Sequence, residues 1–286
     1  MSSFVVLKPG LLTTIQDLGR PEGIAQGIPW GGVMDRTSAR LANALVANPV
    51  NAAVIEIMQI GPVIQFEGSG KFAITGAALS PSLNGHSIEN NKCYSFGNDD
   101  VLSFGKPEIG TFASLAIQGS IDVPYVLGSK STYLYAKIGG WQGRALQKDD
   151  RIAVKPSVEI NTDVTDLPQQ DFKKVLRIMK GPEFEMFTAS EIARFLNKPF
   201  TVGAQSNRMG FRLENNKIVD RKLEEIISSG TLRGVVQITP SGTPVVLMAD
   251  SPTVGGYPRI AIVVDEDVDR LAQIKPMEEV FFELSL

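Results

Sequence analysis

Short apolar runs separated by Gly, Pro, Asn and Asp recur along the chain, at 4–7, 63–66, 72–75, 101–104, 112–117, 175–179, 235–238, 245–248, 260–264 and 280–284. Runs this short between turn formers read as strands. Three segments instead carry apolar residues at helical spacing. In 37–48, Leu41, Leu45, Ala42 and Val46 share a side, and Asp35 stands where it can cap the first turn. In 188–196, Thr188 and Glu191 have capping-box spacing ahead of Ile192, Phe195 and Leu196. Residues 265–274 form the third, stopped by Pro276. Many strands with a few isolated helices predict a mainly β protein, built as barrels or sandwiches with decorating helices.

The stretch between Lys155 and Lys174 is polar, acidic and closed by prolines at both ends, which marks a connection. It predicts an N-terminal β lobe at 1–156, a linker at 157–171 and a C-terminal β lobe at 172–286. Both lobes have ordinary domain sizes.

Charge and composition narrow the function classes. The 286 residues carry 28 Lys+Arg against 31 Asp+Glu, a net charge of −3, so there is no basic footprint for nucleic acid. One cysteine, Cys93, and one histidine, His86, exclude a disulfide framework and a Cys/His zinc site within the chain. They also exclude a Ser-His-Asp triad unless His86 supplies the base. No window approaches the ~20 apolar residues of a membrane span, and the first residues lack the apolar core of a signal peptide. The expectation is a soluble cytoplasmic protein.

Four polar constellations stand among glycines. Gln16, Asp17 and Arg20 follow the opening strand; an Asp17–Arg20 pair across a turn explains them as well as ligand contact does. Gly31 and Gly32 precede Asp35, so backbone can approach a ligand beside a helix N-terminus, or Asp35 serves simply as a cap. Lys130, Ser131 and Thr132, followed by Arg144 behind Gly139-Gly140, can hold a carboxylate or phosphate, and a plain turn explains the glycines equally well. Asn207 and Arg208, with Asp250 and the Gly255-Gly256-Tyr257 loop, form the fourth. There a structural Arg208–Asp250 pair competes with an anion site.

These segments carry a family resemblance. Thr14-Ile-Gln-Asp-Leu-Gly-Arg20, Gly31-Gly-Val-Met-Asp35, Glu56 with Gly61-Pro62, Val126-Leu-Gly-Ser-Lys-Ser-Thr132, Ser206-Asn-Arg-Met-Gly-Phe-Arg-Leu213 and Gly255-Gly-Tyr-Pro258 occur in family order. Together they resemble the biotin-dependent carboxyltransferase family in the broad sense, which includes urea carboxylase regions, allophanate hydrolase subunit 2, KipA and a subunit of bacterial 5-oxoprolinase. The resemblance implies two cyclophilin-like β-barrel lobes, a KipI-like partner and a third lactam-hydrolase subunit. It also implies ATP with magnesium, used on a lactam or amide such as 5-oxoproline.

Under that resemblance, Asp35, Arg208 and Asp250 are the catalytic candidates, with Asp35 or Asp250 as metal-holding or general-base groups. Gln16, Arg20, Gly31, Gly32, Lys130, Ser131, Thr132, Arg144, Asn207, Gly255, Gly256 and Tyr257 are the substrate- or anion-binding candidates. No biotin is attached to this chain, since Met179-Lys180 lacks the Ala-Met-Lys-Met surround. Two alternatives stay open: a carboxyltransferase using carboxybiotin supplied in trans on urea or a related amide, and a non-enzymatic regulator of a KipI-like protein. The chain departs from the family at Ser120, Asp149 and Asn215, where glycines are frequent.

Overall fold

The computed structural model describes residues 2–160, 162–167, 171–221, 223 and 226–285. Residues 161 and 168–170 of the expected linker lie outside the described residues, as do 1, 222, 224, 225 and 286. The chain divides into two compact units: Met1–Arg20 with Gly31–Gln170, and Pro21–Trp30 with Asp171–Leu286. This differs from the expected division in two places. The short 21–30 segment, read as part of the first lobe, groups with the second unit. Residues 157–160 and 162–167 group with the first unit instead of standing free, and hydrogen bonds tie the first of them there. Ile160 N–H donates to the Ala47 carbonyl at 2.8 Å, and Gln118 Nε2 donates to Glu159 Oε1 at 3.0 Å.

The protein is mainly β, and the two units arrange their strands differently. In the first unit, a seven-stranded sheet runs in the order Ser120–Ile121, Arg151–Lys155, Ser2–Lys8, Val63–Glu67, Val101–Phe104, Pro81–Leu83 and His86–Ser87. A five-stranded sheet runs Leu12–Gln16, Val54–Met58, Ile109–Ile117, Gly70–Ala78 and Cys93–Phe96. Alternation sends Phe4, Ile55, Ile57, Phe66, Phe72 and Leu115 into one core contributed by both sheets. Phe66 stacks on Phe96 at 4.0 Å between centroids and on Phe72 at 5.4 Å.

The other face of the five-stranded sheet is covered by helix α1 (Arg36–Leu45). Small residues on both surfaces, Ala39 and Ala42 against Ala73 and Ala116, form the contact, and Asp35 caps the helix as its sequence position indicates. The helix stops at Leu45, before the expected 48, because Ala47 turns left-handed (φ +58) and the Asn43 carbonyl takes the N–H groups of both Val46 and Asn48.

The second unit closes into a barrel ordered Val175–Lys180, Arg259–Val263, Val235–Ile238, Pro244–Leu247, Gly210–Glu214, Phe200–Val202 and Glu279–Leu284. The closing pair, Val175–Lys180 with Glu279–Leu284, is parallel and the others are antiparallel. Helix α2 (Ala189–Asn197) has the capping box that its sequence predicts. Its Phe195 packs on Phe282 at 4.7 Å. Helix α3 (Asp265–Gln273) follows the Arg259–Val263 strand, and Ser229–Gly230 pairs with Val254–Gly255 as a small ribbon. Asp149 and Asn215, two of the departures at glycine positions, have φ of +70° and +68°. The turns survive because Asp and Asn tolerate the left-handed region better than other side chains. Among the described residues, no helix is long and apolar enough to cross a membrane.

Candidate functional site

The expected site residues divide between the units. Gln16, Arg20, Gly31, Gly32, Asp35, Lys130, Ser131, Thr132 and Arg144 belong to the first; Asn207, Arg208, Asp250, Gly255, Gly256 and Tyr257 belong to the second.

In the first unit, Asp17 is the organising residue, a role that its spacing from Arg20 does not suggest. Its carboxylate accepts the Ser129 and Ser131 hydroxyls at 2.6 Å each, the Lys130 N–H at 2.6 Å and the Gly19 N–H at 2.8 Å. This fastens the 17–20 turn to the 126–132 loop. Ser131 and Thr132 are therefore spent on the fold: Ser131 on Asp17, and Thr132 Oγ1 on the Ile15 carbonyl at 2.9 Å. Arg20 is fully buried and donates to the carbonyls of Ser131 and Val126, so its guanidinium ties loop to loop. Gln16 donates to Thr14 Oγ1 and the Thr132 carbonyl, while its Oε1 is buried without a partner among the described residues.

The glycines make close backbone contacts. A Cβ on Gly139 (φ +66) would lie 2.0 Å from the Ser131 oxygen, so the turn after 138 packs directly on the 131–132 backbone. At Gly32 (φ +89) a Cβ would stand 2.8 Å from Gly19 N, and Val33 N–H donates to the Asp17 carbonyl at 2.9 Å. The close approach expected at Gly31-Gly32 is thus made to the 17–19 turn. Asp35 is buried and accepts the Ser38 N–H at 2.8 Å and hydroxyl at 2.6 Å.

Beneath α1, Thr14, Glu56, Ser114 and Thr75 form a buried polar row, each opposite the next on successive strands. Glu56 accepts the Met34 N–H at 2.6 Å, and Thr75 Oγ1 donates to the Ser38 carbonyl at 2.6 Å. A carboxylate inside the otherwise apolar Val54–Met58 strand was the available signal.

Lys130 is different. Its side chain enters a cleft of about 330 Å³ lined by Asp17, Gly19, Asn51, Ser120, Tyr125 and Lys130, among others. The residue is 7% exposed. Its ammonium donates to Ser120 Oγ at 2.8 Å and the Ile121 carbonyl at 2.6 Å, and lies 5.0 Å from the Tyr125 ring centroid. Burial pushes the ammonium below its ordinary range; the charges of Asp122 and Asp17 pull it back up, and Lys155 pushes it further down.

The remaining candidates have structural partners. Arg144 forms a two-pronged pair with Asp150, both contacts 2.7 Å. In the second unit, Arg208 Nε and Nη2 meet Asp250 Oδ2 and Oδ1 at 2.8 and 3.0 Å, with the residues 7% and 5% exposed. Of the two readings, the geometry is that of the buried pair. Asn207 Oδ1 accepts the Met209 N–H at 2.8 Å, forming a turn. Gly255 belongs to the ribbon over Gln237, and Tyr257 is exposed.

A β protein with these ordered segments can be compared directly with known families, and the carboxyltransferase domain, subdomains A and B, matches residues 26–284. The chain belongs to this family. A 5-oxoprolinase subunit of Escherichia coli (strain K12) is 36% identical over 277 residues, covering 97% of this chain and 89% of the relative. The urea amidolyase of Lachancea kluyveri is 31% identical over 308 residues, covering 98% of this chain but 17% of the relative. The crystal structure of the K. lactis urea amidolyase superposes with a TM-score of 0.90 at 30% identity, covering 98% of this chain and 18% of that one. The chain thus has nearly the length of the bacterial relative and spans less than a fifth of these urea amidolyases.

Proposed function

We propose that this chain is the carboxyltransferase-family subunit of a cytoplasmic, ATP-dependent 5-oxoprolinase. It acts with a KipI-like subunit and a third lactam-hydrolase subunit. The observation that carries the reading is the 36% identity to a 5-oxoprolinase subunit along nearly the full length of both chains. The reaction opens the lactam: the C–N bond breaks, the oxygen of water adds to the carbonyl carbon, and the released amine takes up a proton to give glutamate. The ring amide is unreactive at neutral pH, so its carbonyl needs activation, and ATP, leaving as ADP and phosphate in the same cycle, both activates it and drives the opening.

The two carboxylates expected to hold magnesium already have partners within the chain. Asp35 is engaged at the α1 cap and Asp250 with Arg208. In this reading the partner subunits handle nucleotide and metal, and this chain contributes binding and positioning.

The test is co-expression of the three subunits followed by an assay of ATP- and 5-oxoproline-dependent glutamate release. Release is expected from the complete set and not from this chain alone. No release from a stable complete set, or full turnover by the isolated chain, refutes the reading. The family match keeps one alternative in view, carboxyl transfer from biotin supplied in trans to urea or a related amide. In the same assay, consumption of bicarbonate without glutamate would support that alternative.

A further inference from the structure

We propose that the Lys130 cleft is a binding site for a small organic monoacid, whose carboxylate closes against the Lys130 ammonium. A buried ammonium with no carboxylate in hydrogen-bond contact and one N–H unspent is the anomaly that points there. Buried charges are costly unless paired or fully hydrogen-bonded: the buried Arg20 donates to the carbonyls of Ser131 and Val126, and three other cations meet carboxylates. Arg208 grips Asp250, Arg233 grips Asp265 and Asp269, and Arg259 grips Glu183. Lys130 has only neutral acceptors, a serine hydroxyl and a backbone carbonyl, beside an aromatic face. An ammonium has three N–H groups, and two are used.

The nearest way to neutralise Lys130 from within is closed. Asp17 lines the same cleft, but its two oxygens already take four donors and hold two loops together. Asp122, whose charge also acts on Lys130, is paired with Lys155 at 2.8 Å, so a ligand carboxylate would be the first full negative charge in hydrogen-bond contact with the Lys130 ammonium.

The cleft also limits what that ligand is. About 330 Å³ is at the small end of ligand pockets. It suits a single small ring or a short acid, and a polyphosphate would meet one lysine and the Asp17 carboxylate. The Tyr125 ring offers an apolar wall beside the cation, and the Asn51 side chain, which also lines the cleft, makes no hydrogen bond of its own among the described residues. A compact ring with a carboxylate, an apolar edge and an amide matches that set. Its identity as 5-oxoproline, or the product glutamate, rests on the proposed function; the carboxylate site does not.

The test is calorimetric titration of the full chain with 5-oxoproline, glutamate, acetate and inorganic phosphate, comparing wild type with Lys130→Met and Lys130→Arg. Wild type is expected to bind at least one carboxylate saturably. Lys130→Met should weaken it by about 10- to 100-fold, the loss of one charge-assisted contact. Lys130→Met should melt close to wild type, because relief of the buried charge offsets the loss of its contacts to Ser120 Oγ and the Ile121 carbonyl. Should the variant not fold, acetylation of Lys130 in the wild type, read by peptide mass spectrometry, must be slowed by the bound acid.

Equal affinity in wild type and Lys130→Met, no binding of any carboxylate, or phosphate as the tightest ligand each overturns the proposal. Lys130-dependent binding of glutamate or acetate but not 5-oxoproline upholds the site and counts against the 5-oxoprolinase reading. Failure of glutamate release by the complete set of subunits, with binding intact, does the same.

Discussion

Replacing Arg208 by alanine strips Asp250 of its buried counter-ion. In the native barrel, two charge-assisted contacts of 2.8 and 3.0 Å hold the carboxylate, and the Asp250 N–H also reaches back to the Arg208 carbonyl at 2.8 Å. With both residues more than nine-tenths buried, little water can replace the lost guanidinium. Breaking such a pair costs about 3–5 kcal/mol, which lowers the melting temperature of a unit this size by roughly 10–20 °C. Arg208→Lys keeps the charge but loses the planar double grip, and should cost about 1.5–3 kcal/mol. Removing both charges, as Arg208→Met with Asp250→Leu, should recover most of the loss, since an apolar pair of similar volume replaces a buried ion pair at little cost. Scanning calorimetry of the three variants gives the magnitudes. A melting temperature for Arg208→Ala within about 2 °C of wild type, or turnover lost at unchanged melting, would refute the structural account and return Arg208 to the catalytic candidates.

Three further outcomes follow from the same geometry. Asp17→Ala leaves the Lys130 and Gly19 N–H groups without their acceptor and should cost about 2–6 kcal/mol; an unchanged urea midpoint would show that the 126–132 loop is not held by Asp17. Gly139→Ala forces a Cβ to 2.0 Å from the Ser131 oxygen, whereas Gly27, also at positive φ, faces open space. Gly27→Ala should therefore cost only about 1–2 kcal/mol of backbone strain and Gly139→Ala distinctly more, a ranking that chemical denaturation checks. Acid should destabilise the second unit: Arg259 holds the Glu183 carboxyl below its usual range, and for Asp267 burial pushes up but the Arg177 contacts and Arg270 win and bring it down. Depressed native values stabilise the fold above the unfolded carboxylate range, about pH 4, and that stability is lost as pH falls below it. Urea midpoints that stay flat between about pH 5 and pH 3 would contradict this.

Local signals carried much of the fold. Thr188 and Glu191 announced α2 because a capping box needs only four residues, and Asp35 announced α1 for the same reason. The short apolar runs located the core strands, since period-two burial is a property of each strand alone. The end of α1 was not legible, because it depends on Ala47 turning left-handed, which no residue type there advertises. The division at 157–171 was read from composition, but composition cannot show that Ile160 and Glu159 are tied back to the first unit.

The candidate site shows the same limit more sharply. Residue type identified the polar segments correctly as unusual: Arg20, Lys130, Arg208 and Asp250 are all buried, which a glycine-rich polar loop rarely allows without purpose. Type alone could not say whether each charge meets a partner from the same chain. Arg208 finds its carboxylate 42 positions away, Ser131 finds Asp17 across 114, and Arg20 ends among carbonyls that a distant glycine turn brings close. Lys130 emerges with a cleft and neutral acceptors, although Lys130, Ser131 and Thr132 looked equivalent in sequence. Strands, caps and costly polar groups follow from neighbours a few residues apart, so their positions were written in the chain itself. Which buried charges were already neutralised depended on contacts closed over tens to more than a hundred residues, and only the tertiary structure decides those.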